Sequence, residues 1–366
     1  MSNDRIILAP YYWALRLRHF FYDKGWRKVR ASPVPAICVG NLAAGGTGKT
    51  PFTEFLLRLL TAEGGGSATE NGGRRVGVLS RGYGRRSKGF LYVQTDGTPE
   101  LFGDEPLQIK RKFPDVPVAV CSSRIEGCEK MAADGCGLIL LDDAFQHRAL
   151  KADCNIVLVE YGRPLASDRL LPLGRLRDLP ERIHAADIVI ASKCPDDLTA
   201  GERQAWLAGL GLEGAYDAGA VSAETGTPVF FTTLQYGRAE GVFEEADRHY
   251  LYSGKMMLLT AIANDRPLLL HLIDRYSPVA HLRFPDHHDF RPADLRKIEQ
   301  AAAKYPEAIL FTTEKDRQRL LPLRGRLSDN LRRRLFYLPV EARFVAPDEE
   351  EAFARRIQRF TTVSPE

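Results

Sequence analysis

Six cysteines in 366 residues are few, and those at 38, 121, 128, 136, 154 and 194 form no C-x-x-C pair. Several fall within or beside apolar runs, which predicts buried free thiols in a reducing cytosol rather than a disulfide framework. No apolar stretch is long enough to span a bilayer, and no signal-peptide cleavage pattern is present. The net charge of +4 is too small to imply a nucleic-acid partner. There is no internal repeat, and nothing in the chain calls for an obligate protein partner. Hydrophobic residues at 44% and charged residues at 27% are an ordinary soluble balance, and a chain of this length buries a large core with room for two domains.

What is there is organised around residues 36–60. Ala36 to Val39 is a short apolar run fit for a buried strand, and Phe52, Phe55, Leu56, Leu59 and Leu60 repeat at helical spacing. Between them stands Gly45-Gly46-Thr47-Gly48-Lys49-Thr50, the strand–loop–helix context of a phosphate-binding loop. Glycines let backbone N–H groups turn around phosphate oxygens, and the following helix offers its positive end. Lys49 reaches the terminal phosphates, and the Thr50 hydroxyl is placed to ligate Mg²⁺. The usual first glycine is replaced by Ala43, so the expected nucleotide cradle runs Ala43, Ala44, Gly45, Gly46, Thr47, Gly48, Lys49, Thr50. The plainer alternative is a glycine-rich turn beside a surface lysine.

Residues 1–30 carry seven Lys/Arg and two Asp among Tyr11, Tyr12, Trp13, Leu15, Leu17, Phe20, Phe21 and Trp26. With Pro10 in its first turn, a helix is expected over 11–24. A basic, aromatic-rich helix of this kind lies in a headgroup layer, or packs on the core with its arginines in water. Residues 64–74 read as a flexible surface loop. Strands at 76–80, 116–121, 138–141, 155–159 and 188–191, mostly separated by helical segments, predict a mostly parallel sheet. Past about residue 227 a second, smaller α/β unit is expected, giving an N-terminal helix at 1–28, a P-loop core at 29–226 and a second domain at 227–366.

Gly137-Leu-Ile-Leu-Leu-Asp-Asp143 is an apolar strand ending in carboxylates, the form of an element that holds Mg²⁺. Because successive strand residues face opposite ways, Asp142 and Asp143 both serve only if the strand ends before Asp142. Gly103-Asp-Glu-Pro106 opens a helix, where acids stabilise the terminus in any case. The functional alternative makes Asp104 a general base. Asp286-His287-His288-Asp289 has metal-ligand residue types, but neighbours so close rarely complete a site without a distant partner.

Several of these segments together resemble the tetraacyldisaccharide 4′-kinases of lipid A biosynthesis. The resemblance rests on the run from Val39 to Pro51, on Leu79-Ser-Arg-Gly-Tyr-Gly-Arg85, on Gly103–Pro106 and on Leu141-Asp-Asp-Ala-Phe-Gln-His-Arg148. Leu171-Pro-Leu-Gly-Arg-Leu-Arg-Asp178, Phe284-Pro-Asp-His-His-Asp-Phe290 and Thr312-Thr-Glu-Lys-Asp316 follow in the family's order. It implies transfer of the ATP γ-phosphate to the 4′-hydroxyl of an acylated glucosamine disaccharide 1-phosphate, with peripheral attachment to the cytoplasmic face of the inner membrane. It implies Asp104 as base with His287 as its partner, Lys49 as a catalytic cation, and Thr50, Asp142 and Asp143 around Mg²⁺. Arg81, Arg124, Arg177 and Asp178 would meet the anionic acceptor. Asp178 stands where the family usually has Glu, Ala144 where it has Gly, and Asp265 where it has Pro. Two other classes stay open: a P-loop ATPase or GTPase switch acting on a protein partner, and a membrane-docking module without chemistry. Ser192-Lys-Cys-Pro-Asp196 approaches a guanine-binding motif, but its acid comes one residue late.

Overall fold

The computed structural model describes residues 3–62, 74–212, 214–219 and 226–361. The loop expected at 64–74 lies outside them but for Arg74. In chain order the principal elements are α1 (Asn3–Asp23), β1 (Ala36–Asn41), α2 (Lys49–Ala62), β2 (Arg75–Ser80), α3 (Asp104–Lys112), β3 (Val118–Val120), α4 (Arg124–Ala133), β4 (Cys136–Asp142), β5 (Cys154–Glu160), β6 (Ile188–Ser192) and β7 (Pro228–Tyr236). There follow β8 (Lys255–Thr260), α5 (Arg266–Ile273), β9 (Ser277–Arg283), α6 (Pro292–Lys304), β10 (Ile309–Thr313), α7 (Glu314–Leu320), β11 (Leu335–Leu338), β12 (Val340–Phe344) and α8 (Pro347–Thr361).

Among the described residues the larger sheet has ten strands, with β7, β6, β5, β1, β4, β2 and β3 side by side and parallel. Strand β1 buries all six of its residues. A parallel strand with helices on both faces must be apolar throughout, which is why Ala36–Val39 shows no alternation. One core cluster joins Leu15, Cys38, Leu141 and Met131 on one face, and another joins Phe52, Leu56, Val78 and Leu140 on the other. All six cysteines are free and buried.

Helix α1 begins upstream of the expected start and runs through Pro10. A proline there removes one backbone donor, and Ile6, Ile7, Leu8 and Ala9 continue the turn on its other side. Leu15 and His19 are buried against the core, while Trp13, Leu17 and Phe20 are 65%, 54% and 44% exposed. The helix therefore both docks on the protein and presents an apolar stripe to its surroundings. No helix among the described residues is long and apolar enough to cross a membrane.

The smaller sheet has five strands, with β11, β10, β8 and β9 parallel in that order. The boundary expected at residue 227 needs correction at both ends. Strand β7 belongs to the larger sheet, since Val229 pairs with Val189 on β6. The C-terminal segment returns there as well: β12 pairs antiparallel with β7, Thr232 opposite Phe344 and Tyr236 opposite Val340. Helix α8 then buries Phe353 and Ile357 in the core under the phosphate-loop helix. The Phe353 ring meets Phe52 edge-on at 5.6 Å and Phe230 at 5.4 Å. Aromatic burial decides this docking, because α8 has no other large apolar face to satisfy. Phe353→Ala should cost about 3–5 kcal/mol of stability. Urea unfolding followed by circular dichroism measures this, and a loss below about 1 kcal/mol would mean that α8 is peripheral to the core.

Candidate active site

The loop after β1 is held from within the sheet. Asn41 Nδ2 donates to Thr47 Oγ1 at 2.7 Å, and Ser192 Oγ, at the end of β6, donates to the Thr47 carbonyl at 2.8 Å. Gly45 and Gly48 have φ of 80° and 81°, left-handed positions that a side chain would strain and that turn the loop toward α2. Ala43 and Ala44 do not join the cradle as expected. Ala43 forms an antiparallel bridge with Leu176, and the Ala44 N–H donates to the Arg175 carbonyl at 2.6 Å. That amide is occupied, so the concave part of the loop is residues 45–50.

Strand β4 includes Asp142, the case in which only one acid was expected to face the loop. Asp143, however, has φ 51°, and this left-handed turn breaks the alternation. The charge of Lys49 consequently acts on both carboxylates. Asp142 is buried, and Ser80 Oγ donates to its Oδ2 at 3.0 Å. Burial, with the nearby charges of Glu105 and Asp143, pushes its carboxyl up to about 7. For Asp143 burial acts in the same direction, but Lys49, Arg177 and Arg124 overcome it and hold the group well below the usual carboxylate range. Lys49 Nζ lies 3.7 Å from Asp143 Oδ1, and Arg177 forks onto both of its oxygens, with one contact at 2.9 Å. Arg124 is buried and donates to the carbonyls of Cys121 at 2.7 Å and Asp143 at 3.5 Å. Arg81 stays exposed on the loop after β2.

Asp142 Oδ1 is buried with no hydrogen-bond partner among the described residues. An unsatisfied, hard oxygen beside the Thr50 helix start fits Mg²⁺, which takes one or two carboxylates and completes its shell with phosphate and water. Among the described residues no group of three or more His, Cys, Asp or Glu side chains would hold a metal by itself.

A second constellation stands at the start of α3. Asp104 is 4% exposed. Its Oδ2 lies 3.0 Å from His287 Nδ1, its Oδ1 accepts from Arg319 Nε at 2.8 Å, and Arg319 also donates to Oδ2. Lys315 Nζ lies 2.9 Å from His287 Nε2. An ammonium only donates, so Nε2 is the acceptor and Nδ1–H donates to Asp104, a tautomer assigned by the network. His287 adopts φ 60°, which aims the ring back toward α3. Burial opposes ionisation of Asp104, yet the hydrogen bonds and charges of His287, Arg319 and Lys315 leave its carboxyl below the usual value. Glu105 joins the two constellations, since it is 3.8 Å from Lys315 and its charge bears on Asp142.

The family described as Tetraacyldisaccharide-1-P 4′-kinase matches residues 5–361. The chain belongs to this family. A tetraacyldisaccharide 4′-kinase from Phocaeicola vulgatus is 38% identical over 359 residues, covering 93% of this chain and 90% of the relative. One from Porphyromonas gingivalis is 34% identical, covering 95% and 94%. The crystal structure of LpxK from Aquifex aeolicus in complex with ATP superposes with a TM-score of 0.69 at 27% identity, covering 98% of this chain and 99% of that one. The match gives the protein switch and the docking module no support.

Within this kinase fold most of the expected residues fall into two groups. Gly45–Thr50, Asp142, Asp143, Arg124 and Arg177 gather at the phosphate loop, and Asp104 with His287 forms the second group. Asp178 belongs to neither and is not a substrate contact. It is completely buried, 2.6 Å from His19 Nε2, and accepts the Leu179 N–H at 2.9 Å, so it fastens α1 to the core. His288 lies 2.9 Å from Asp294 at the start of α6, which separates it from His287 and dissolves the apparent histidine cluster. His147 is half-buried, its pKa lowered by burial and then by Arg124, Arg18 and Arg81, and its backbone closes the turn after the acids. Sequence reasoning missed Arg319 and gave Lys315 no role, although the four-residue spacing of Lys315 and Arg319 on one helix was legible. Lys49→Ala should lower turnover by about 10²–10³ with the fold intact, since a preorganised cation beside a transferring group is worth that much. Steady-state kinetics beside a circular dichroism spectrum checks it, and near-normal turnover would refute the assignment of the loop.

Proposed function

We propose that this chain transfers the γ-phosphate of ATP to the 4′-hydroxyl of a tetraacyldisaccharide 1-phosphate, giving the 1,4′-bisphosphate in lipid A biosynthesis. The observation that carries this reading is the Asp104–His287 pair at 3.0 Å, next to Glu105, whose charge bears on Asp142 at the end of β4. Such a pair receives an alcohol's proton, which a nucleotide switch has no use for.

Phosphoryl transfer is chiefly positioning and charge neutralisation. Lys49 neutralises the transferring phosphate, and Arg177, whose terminal nitrogens are taken by Asp143 and Asn41, holds the Asp143 carboxylate in place beside it. Thr50 and Asp142, with Asp143 in support, would hold Mg²⁺, which would supply further charge neutralisation for the transferring phosphate. Asp104 Oδ1, which accepts only from Arg319 Nε while Oδ2 accepts from His287 and Arg319, takes the hydroxyl proton. A carboxylate with a lowered pKa is a weak base, but in a loose transition state the proton leaves late and orientation counts for more. The His287 ring, donating from Nδ1 to Oδ2, fixes the orientation of the carboxylate.

The reading includes attachment to the cytoplasmic face of the inner membrane through α1. Its exposed Trp13, Leu17 and Phe20, with Arg16, Lys24 and Arg27 close by, have the composition of an interfacial helix.

With γ-labelled ATP and tetraacyldisaccharide 1-phosphate, the protein should form ADP and labelled lipid together. Asp104→Ala should lower kcat by about 10²–10⁴ with little change in KM for ATP, and His287→Ala by less. The double variant should be little worse than Asp104→Ala alone. A loss confined to ATP binding would make Asp104 a capping residue instead. For the membrane, Trp13, Leu17 and Phe20 changed together to Ser leave Leu15 and His19 in the core. This variant should bind anionic vesicles several-fold more weakly and raise KM for the vesicle-borne lipid but not for ATP. Equal co-sedimentation of the variant and parent would remove α1 from the membrane contact.

A further inference from the structure

Helix α7 of the smaller domain lies across α3 of the larger one, and polar side chains meet at every corner of the crossing. One stripe of α7, Lys315 and Arg319, faces the first turn of α3, where Arg319 grips Asp104 and Lys315 stands 3.8 Å from Glu105. The neighbouring stripe, Glu314 and Gln318, faces the last turn. There Lys112 lies 2.9 Å from Glu314, and Arg111 donates to Gln318 Oε1 at 2.6 Å. Lys112 also pairs with Glu54 at 2.6 Å, and Gln108 donates to the same carboxylate at 2.8 Å. Glu54 is a buried residue of α2, the helix that starts with Lys49 and Thr50. Asp104, Gln108 and Lys112 are spaced by four and share one face of α3.

We propose that Arg319 is a positioning residue for phosphoryl transfer: its guanidinium fork holds Asp104, and the clasp Glu314–Lys112–Glu54 fixes that fork relative to the phosphate-loop helix. The inference rests on the reading of Asp104 as the base. Arg319 engages the Asp104 carboxylate and the backbone of the histidine loop. Nε and one terminal nitrogen take the two Asp104 oxygens, that same nitrogen is 3.0 Å from His287 Nδ1, and the other donates to the His288 carbonyl at 3.0 Å. Three planar donors on one side chain leave the carboxylate a single orientation and tie the histidine loop to it. A lysine supplies the charge but not the fork. The arrangement lowers the proton affinity of Asp104, so its contribution lies in placement and not in base strength.

The groups facing Asp104 are Glu105 on its own helix, His287 from the loop after β9, and Lys315 and Arg319 from α7; Tyr83, after β2, faces His287 with rings 5.4 Å apart. Without Arg319, Asp104 loses a hydrogen-bonding positive charge while its burial stays, so its pKa rises from the present lowered position. Since the base works ionised, the acid limb of the kcat profile must then move to higher pH.

The test uses the full chain and detergent-dispersed acceptor, with kcat and both KM values measured from pH 5 to 9. Arg319→Met should lower kcat by about 10²-fold, keep KM for ATP within about twofold, and move the acid limb up by about one pH unit. Arg319→Lys should leave the limb in place and still lower kcat by about tenfold. Lys112→Met, which opens the far corner of the clasp, should lower kcat several-fold with the limb unmoved. Thermal melts show whether each variant is folded; if Arg319→Met is not, Arg319→Lys and Lys112→Met decide. Full activity in Arg319→Lys or Lys112→Met, or an unmoved limb in a folded Arg319→Met, overturns the proposal. Asp104→Ala run alongside separates the two readings. If it keeps parental kcat, the base assignment itself has failed; if it is inactive while the Arg319 and Lys112 variants behave as parent, the clasp alone has failed.

Discussion

The pairing of β1 with β4 is the constraint on which the site depends. Parallel neighbours in a sheet lie about 4.8 Å apart. Here Val39 stands opposite Asp142, so the two strands finish within two residues of each other, β1 running on to Asn41. The phosphate loop leaves one strand and the carboxylates cap the other, which sets Asp143 3.7 Å from Lys49 and brings both carboxylates under its charge. A one-residue slip would turn Asp142 to the opposite face of the sheet and bury it in hydrocarbon. The apolar runs on both strands forbid that slip, so the core fixes the chemistry's register.

The same strand end shows how adjacent, chemically identical groups acquire different characters. Asp142 is enclosed by the sheet and has one hydroxyl for company; Asp143, one turn further, sits in a fork of Arg177. Their protonation is driven in opposite directions by surroundings and not by spacing. Asp142 is thereby left with one buried oxygen that has no hydrogen-bond partner among the described residues, while its neighbour is committed to holding an arginine.

Much of this was legible in the chain. Glycine, lysine and threonine at fixed spacing between a strand and a helix suit little besides a bound phosphate, and unbroken apolar runs locate central parallel strands. What escaped reading depended on tertiary partners. Pro339 interrupts 335–344, so neither β11 nor β12 shows a run of useful length, and the return of the chain to the first sheet left no local trace. The family resemblance places Asp178 among the substrate contacts, whereas its partner His19 is 159 residues away. Ala44 lost its place in the cradle to a backbone carbonyl, which no side-chain pattern reports. Arg319 carried no motif, and only the crossing of two helices from different domains gave it Asp104.

The return of the chain through β12 and α8 also imposes an order of events during synthesis. The smaller domain is an insertion between β7 and β12, and its strands are complete by Leu338. The larger domain is not, for Phe344, Phe353 and Ile357 supply part of the wall beneath α2. On a ribosome the inserted domain therefore emerges whole while its host still exposes Phe52, Phe55 and Phe230. The portion of the protein that binds nucleotide becomes whole only after the portion that presents His287, and until then its unfinished aromatic face is the surface most open to chaperones and to aggregation.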